Sequence, residues 1–317
     1  MEIKRRDFLK IAAGSGLVLA AGDPVFAREP KKLPSEAVGM LYDATVCIGC
    51  KVCQVACKEK NEMPAEHSAP EAIWDDPVDL SSKTLNIIKV YKDGTGENKD
   101  SEINGFSFIK RHCMHCVDPS CVSACPVSAL KKDPQNGVVS YNEDACIGCR
   151  YCQVACPYNI PKFEYDKPFP KIRKCQLCNH RYKEGKYSAC CEFCPTGASI
   201  FGKVTDLLEE AKKRLALKTG DYYYYPVAHI KSDLKSYRPV SKYQNHIYGE
   251  KEGGGTQYLM LAGLPFAKLG MPELGEKSDA SFSEGIQHTL YKGMIAPGVV
   301  LAGLLFAAYR STRNKDE

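Results

Sequence analysis

The sequence lacks the motifs of the common nucleotide, haem and hydrolytic sites. No Lys-Ser or Lys-Thr pair follows the glycine triplet at 253–255, so this triplet is not a phosphate-binding loop. No C-x-x-C-H stretch occurs either, which excludes covalently attached haem. No nucleophile and base stand in a recognisable catalytic pattern. We therefore expect no catalytic residue, and a chain that is not an enzyme by itself.

Cysteine, in contrast, is abundant: the chain has 17 among 317 residues. A chain of this length buries a core without needing disulfide staples. Two eleven-residue phrases, CIGCKVCQVAC at 47–57 and CIGCRYCQVAC at 146–156, match at nine positions with every cysteine in register. Four phrases hold sixteen cysteines: Cys47, Cys50, Cys53, Cys57; Cys113, Cys116, Cys121, Cys125; Cys146, Cys149, Cys152, Cys156; Cys175, Cys178, Cys190, Cys194. Cys191 is left over and is interpreted as a spare thiol.

The first and third phrases have the C-x2-C-x2-C-x3-C spacing of bacterial ferredoxins, and the other two widen one interval. Three closely spaced thiolates wrap one face of an iron–sulfur cube, with Gly49 or Gly148 allowing the backbone to approach. The fourth cysteine ligates the other cube of a pair. A zinc-stabilised scaffold without a redox role is the alternative, although zinc sites generally pair two short knuckles across a long loop.

Both ends of the chain predict a membrane-associated, exported protein. The segment KRRDFLK at 4–10, a short apolar stretch and a small-residue exit at Ala27 indicate a twin-arginine signal peptide. That route exports folded proteins, so the cysteines are expected to be thiolate ligands rather than disulfides. Residues 293–309 carry no charge and are followed by Arg310, Arg313 and Lys315. This pattern predicts one transmembrane helix with a cytoplasmic C-terminus.

On these cysteines the chain resembles the four-cluster ferredoxin subunits of membrane-bound oxidoreductases, from about residue 41 to 202. The resemblance implies an α+β fold with duplicated bacterial-type 2[4Fe-4S] ferredoxin modules, in which the first phrase pairs with the fourth and the second with the third. The implied cofactors are four [4Fe-4S] clusters, with iron held by sixteen cysteines. The ligands are Cys47, Cys50, Cys53 and Cys194 at site 1; Cys57, Cys175, Cys178 and Cys190 at site 2; Cys113, Cys116, Cys121 and Cys156 at site 3; Cys125, Cys146, Cys149 and Cys152 at site 4.

The stretches CMHCVDP, SALKKDP, EAKKRLAL, YGEKEGGGTQ and IQHTLYKGM make the chain similar, over nearly its whole length, to the ferredoxin-type subunits of hydrogenase-2, the HybA family. This resemblance implies electron transfer from the small subunit of a periplasmic nickel-iron hydrogenase, bound to its large subunit, to a multi-spanning quinone-reactive membrane subunit. The alternative is the same relay role in a molybdopterin formate dehydrogenase or a sulfur-compound reductase. The expected location is the periplasmic face of the bacterial inner membrane, in contact with the lipid bilayer.

The net charge does not indicate a nucleic-acid partner. The formal charge is +5 when every cysteine is counted as neutral. Sixteen thiolates around four cores of about 2+ each would lower it to about −3. We therefore expect no binding to nucleic acid.

The expected organisation has five parts: a signal peptide at 1–27, a four-cluster ferredoxin domain at 28–202 with an insertion at about 60–110, a periplasmic extension with partner-docking segments at 203–289, a transmembrane helix at 290–310 and a cytoplasmic tail at 311–317. The insertion is predicted to contain strands at 85–91 and 105–109. Thr205 is predicted to cap a surface helix that runs to about Lys218. His112 and His115 are predicted to tune a neighbouring cluster by hydrogen bonds to sulfur, and Lys51 and Arg150 by charge.

Overall fold

The computed structural model describes residues 27–67 and 74–313. The signal peptide expected at 1–27 therefore lies outside the described residues except for Ala27, as do residues 314–317 of the expected tail. Residues Pro30–Ser278 form one compact unit, and a second unit contains the C-terminal helix. Helix and strand are both present, as the α+β expectation requires.

The described elements are short strands and helices separated by loops. The strands are β1 Val38–Asp43, β2 Ile87–Lys92, β3 Asn98–Lys99, β4 Gly105–Arg111, β5 Leu130–Lys132, β6 Val139–Tyr141, β7 Lys162–Phe163, β8 Ile172–Arg173, β9 Ser199–Lys203, β10 Tyr222–Pro226, β11 Ala228–His229, β12 Lys235–Pro239 and β13 Tyr258–Leu261. The helices are α1 Val52–Lys60, α2 Ser120–Ser123, α3 Tyr151–Val154, α4 Asn179–Lys183, α5 Ala189–Glu192, α6 Val204–Leu215 and α7 Asp279–Arg313, with a 3-10 turn at Glu252–Gly254.

The core of the larger unit is a four-stranded sheet in the order β11-β9-β1-β13. Strand β1 is buried at every position because it lies between two neighbours and both of its faces are covered. It pairs antiparallel with β9, where Met40 is opposite Phe201, and parallel with β13, where Met40 is opposite Tyr258. Strands β11 and β13 belong to the segment that the sequence suggested as a docking extension. That segment is thus part of the core sheet, which the sequence reasoning did not foresee.

The insertion folds over the first cysteine phrase. Strands β2 and β4 lie where strands were predicted and pair antiparallel, with Ile88 opposite Lys110. The Gln54 side chain accepts a hydrogen bond from the Ile88 amide at 3.0 Å, and the Asn86 side chain donates one to the Cys53 carbonyl at 2.9 Å. These bonds fix the insertion against helix α1, so it forms one wall of the first cysteine site.

Helix α6 differs from its prediction in two ways. It begins at Val204, so Thr205 lies inside the first turn and provides no side-chain cap. Its Arg214 is completely buried, whereas the sequence suggested a solvent-facing residue of the last turn. The Arg214 guanidinium donates to Glu210 at 2.8 Å and to Asp43 of β1 at 3.0 Å. A buried charge requires such partners, and the helix is thereby tied to the central strand.

The C-terminal helix α7 extends over Asp279–Arg313. Within the described part of the chain, it is the one helix that is long and apolar enough to cross a membrane, with a candidate span over Asp279–Phe306. The expected span at 290–310 falls within α7. Leu290, Met294 and Leu305 are among its exposed apolar side chains.

Candidate iron–sulfur sites

The four cysteine phrases share one backbone feature. The residue before the second cysteine has a positive φ in every phrase, with Gly49 and Gly148 at +70°. The equivalent His115 and Leu177 adopt the same left-handed region without being glycine. The amides of Gly49, Gly148 and Leu177 point at the first cysteine sulfur of their phrase, each at 3.4 Å. Such donors stabilise a thiolate, so the turn prepares the first cysteine to act as a ligand.

The cysteines of sites 1 and 2 line two separate cavities. One cavity is bounded by all four cysteines of site 1 together with Tyr42 and Thr196. The other is bounded by all four cysteines of site 2 together with Met40 and His112. The cavities are enclosed by the core sheet, because Tyr42 and Met40 are consecutive inward-pointing residues of β1.

The cysteines of sites 3 and 4 are also grouped. Burial raises the pKa of the Cys116 thiol well above its ordinary value, and the nearby Cys113, Cys121 and Cys156 raise it further. Burial likewise raises the pKa of Cys152 to about 11, with further contributions from Cys125, Cys146 and Cys149. In all four groups, one cysteine comes from the fourth position of the phrase with which the other three are paired. All seventeen cysteines are free thiols.

Within residues 27–67 and 74–313, no three His, Cys, Asp or Glu side chains are close enough to hold a single metal ion.

Cys191 is fully buried. It lies beside Cys190, and hydrogen bonding from Cys191 is the largest cause of the lowered pKa of Cys190, about 6.

Two buried histidines have ring nitrogens without a protein partner. The His115 Nδ1 accepts the Val139 amide proton at 3.1 Å, and the His112 Nδ1 lies 2.8 Å from the Cys113 carbonyl. The Nε2 atoms of both rings are buried and have no hydrogen-bond partner among the described residues. Burial lowers the pKa of His112 to about 3, which favours the neutral ring. The His115 Nδ1 accepts a proton, so its neutral ring carries the proton on Nε2, and this buried donor fits an inorganic sulfide. The His112 Nδ1 must donate to the Cys113 carbonyl, so its neutral ring has no proton on Nε2 to give to sulfur.

The tyrosines that precede the two repeated phrases contact the first cysteine of each. Burial raises the pKa of Cys47, and the Tyr42 side chain opposes that rise. Although burial acts in the opposite direction, Tyr141 helps to lower the pKa of Cys146 below its ordinary value. Tyr42 also donates its hydroxyl proton to the Phe108 carbonyl at 2.8 Å. The sequence reasoning recognised these tyrosines as part of the repeat but assigned no contact to them.

The predicted charges beside the clusters are engaged with protein groups. Lys51 and Arg150 both adopt positive φ at the start of a helix. The Lys51 ammonium reaches the Asp76 carbonyl at 3.4 Å, and the Arg150 guanidinium lies 5.4 Å from the centre of the Phe163 ring. Their charges therefore lie at the rim of sites 1 and 4.

Two buried lysines, Lys110 and Lys174, and the partly buried Lys132 were missed by the sequence reasoning. Lys110, Lys132 and Lys174 are each within electrostatic range of several cysteines. A lysine inside an otherwise apolar strand, as in FSFIKR at 106–111, is a sequence signal that would have identified the first of them.

Comparison with known proteins identifies an iron–sulfur domain in the chain. Residues 105–204 match the family model described as a 4Fe-4S dicluster domain. The chain is 49% identical over 318 residues to the hydrogenase-2 operon protein HybA of Escherichia coli O157:H7, covering 98% of this chain and 97% of that protein. The chain belongs to the HybA family.

Relatedness extends beyond the HybA family to iron–sulfur subunits of another enzyme. The nitrate-inducible formate dehydrogenase iron–sulfur subunit of Escherichia coli strain K12 is 34% identical over 292 residues, covering 88% of this chain and 87% of the relative. The HybA family thus shares its ferredoxin domain with relatives named for a different oxidoreductase.

Proposed function

We propose that the protein is a non-catalytic subunit that relays electrons through four [4Fe-4S] clusters. They pass from a periplasmic nickel-iron uptake hydrogenase to a quinone-reactive integral membrane subunit. Sites 1 to 4 provide the ligands, with four cysteines each. A bound cluster supplies a one-electron couple whose charge changes by one.

The observation that carries this proposal is the continuous succession of the four sites. Burial raises the pKa of Cys53 to about 12, and Cys190 of site 2 is among the neighbours that raise it. After burial, Cys113 of site 3 is the largest contributor to the raised pKa of Cys175 in site 2. Cys152 of site 4 contributes in the same way to Cys121 of site 3. Cysteines of successive sites are therefore electrostatic neighbours, which supports the spatial order site 1, site 2, site 3, site 4.

Both ends of this series approach exposed apolar surface. Beside site 1, Val55 is 64% exposed, and Trp74 packs against Phe108, whose ring lies over Gly49. Beside site 4, Val154 is 88% exposed and Phe169 is 84% exposed. Exposed apolar groups near a redox site are typical of partner contacts. We therefore assign one end to the hydrogenase and the other to the membrane subunit.

Attachment to the membrane follows from α7. Its apolar length provides a single anchor. The basic residues after it favour a cytoplasmic C-terminus, which leaves the ferredoxin domain on the periplasmic side after twin-arginine export.

The related formate dehydrogenase subunit keeps a second candidate open, namely the same relay role in a molybdopterin enzyme. The higher identity to the hydrogenase-2 operon protein favours the hydrogenase. Affinity purification of the full chain from its host distinguishes the two. Co-purification of nickel supports the proposal, and co-purification of molybdenum without nickel would replace it with the alternative.

The cluster content is tested by anaerobic purification of the full chain with iron, zinc and acid-labile sulfide analysis. About sixteen irons with equal sulfide, and reduced-state paramagnetic signals, are expected for four cubes. Stoichiometric zinc without iron or sulfide would refute the relay and support a zinc scaffold.

Replacement of Val55 or Val154 by Glu is expected to slow hydrogen-dependent quinone reduction in membranes without loss of iron, and unchanged rates would refute the assignment of the two ends.

A further inference from the structure

Lys110 is a completely buried lysine on β4, between the insertion and the core sheet. Its ammonium donates to the Ser199 hydroxyl at 3.1 Å. It also lies within hydrogen-bonding reach of the Cys190 sulfur and within electrostatic range of Cys53. It therefore stands beside ligands of both site 1 and site 2.

Lys132, which is partly buried, and Lys174, which is buried, donate their ammonium protons to oxygen atoms instead. The Lys132 ammonium donates to the carbonyls of Cys116 and Gly137 and to the Gln257 side chain, at 2.7 to 2.8 Å. The Lys174 ammonium donates to the carbonyl of Val139 and, at 3.0 Å, to that of Cys175. These bonds hold loops together.

Among the described residues, Lys110 has one oxygen acceptor, the Ser199 hydroxyl, and its other hydrogen-bonding contact is with the Cys190 sulfur. This distribution distinguishes it from the two loop-fixing lysines.

The charge of Lys110 is maintained by its surroundings. Burial alone disfavours a charged lysine, and the sulfur atoms of Cys190, Cys53 and Cys191 are the groups close enough to offset that cost. An unpaired buried ammonium is costly, so the sulfur ligands serve as its counter-ions. Among the described residues, no carboxylate forms an ion pair with this ammonium.

We propose that Lys110 is a fixed countercharge shared by sites 1 and 2, which raises the reduction potentials of both clusters relative to an uncharged residue at this position. The inference rests on the proposed function, because it requires clusters at these sites. A positive charge near a cluster favours its reduced state, which carries one more negative charge. Clusters at sites 1 and 2 would then have higher reduction potentials than clusters buried to the same extent without the lysine.

The test is an anaerobic redox titration of the full chain in detergent, followed by electron paramagnetic resonance. In Lys110→Met, two of the four midpoints are expected to fall, each by a tenfold change in the reduction equilibrium or more, about 59 mV for one electron. Ser199→Ala removes the oxygen acceptor and keeps the charge, so its midpoints should stay near the wild-type values. Lys89→Met removes a lysine from the paired strand β2 and is the control for a general loss of charge.

A Lys110→Met protein with full iron and four unchanged midpoints would overturn the inference. An equal shift in Lys89→Met would also overturn it. If Lys110→Met loses iron, Lys110→Arg decides: retained iron with midpoints near wild type supports a charge requirement, whereas the same iron loss contradicts it. Absence of cluster signals from the wild-type protein would instead refute the proposed function, so the two failures are distinguishable.

Discussion

The phrases at 47–57 and 146–156 are almost the same sequence placed in two different surroundings. In the first, Cys47, Cys53 and Cys57 are buried, whereas in the second only Cys152 is. The first lies against the four-stranded core sheet and the insertion. The second is covered by the two small hairpins β5-β6 and β7-β8.

The difference arises from distant segments, because the phrases themselves provide the same turn and the same sulfur contacts. The core sheet around the first phrase contains β13, more than two hundred positions along the chain from it. A cluster motif thus specifies its ligands locally, while its burial, and with it the environment that sets a reduction potential, is specified elsewhere. Four pairs of substitutions test this division.

The largest difference is expected for the equivalent cysteines Cys57 and Cys156. Cys57→Ser removes a ligand inside the core, so we expect loss of site 2 and of its neighbour, about half of the iron. Cys156→Ser is expected to lose about a quarter of the iron, because its surroundings depend less on the cluster. Iron analysis and accumulation in the host check this. Equal iron losses in the two variants would contradict the expectation that the surroundings of the first phrase depend more on the cluster than those of the second.

The second test compares two arginine ion pairs. Arg214→Met leaves buried Asp43 and Glu210 without their cation, and we expect the free energy of unfolding to fall by about 3–5 kcal/mol. Arg173 is half-buried and donates to exposed Glu143 and to buried Glu164. In Arg173→Met, Glu164 keeps Lys167 as a second cation at 2.7 Å, so we expect a smaller loss of stability, about 1 kcal/mol. Anaerobic thermal denaturation measures both, and a lower midpoint for Arg173→Met than for Arg214→Met would contradict the prediction.

The third test uses the matched glycines. Both have φ of +70°, so alanine incurs a similar backbone strain at either position. A Cβ at Gly49 would lie 2.4 Å from the Phe108 ring, but one at Gly148 would lie 3.4 Å from Phe163. Gly49→Ala is therefore expected to be less stable than Gly148→Ala by about 1–3 kcal/mol, the cost of overpacking. Denaturation curves of the two purified variants provide the comparison, and equal stability would show that Phe108 moves aside.

The smallest difference is expected for the tyrosines. Tyr42→Phe removes the buried hydroxyl that donates to the Phe108 carbonyl, at a cost of about 1 kcal/mol in the free energy of unfolding. Tyr141 is partly exposed, and water replaces its hydroxyl bond in Tyr141→Phe, so a smaller loss is expected. The same denaturation assay applies. A larger loss in Tyr141→Phe would mean that burial does not control the strength of this contact.

The sequence was sufficient to predict the chemistry because ligand spacing is local. The cysteine phrases, the turn at Gly49 and Gly148 and the strands of the insertion all depend on residues close in sequence. The same reasoning failed for helix α6. Its many charged residues indicated a surface helix, yet Arg214 is buried, and the predicted cap Thr205 lies inside the first turn. The same reasoning also missed Lys110, because whether a lysine is buried is decided by segments that pack against it from elsewhere.

The parallel pairing of β1 with β13 gives the protein a late assembly step. Met40 and Tyr258 are neighbours in the sheet, so the wall behind the first cysteines is incomplete until the chain has been synthesised past residue 258. Contacts of such high sequence separation form slowly, since a long loop must close first. A nascent chain interrupted before residue 258 would contain every cysteine of the four phrases and still lack the strand behind those of the first phrase. We therefore expect such a truncated chain to leave Cys47 and Cys53 more open to solvent than the full chain does.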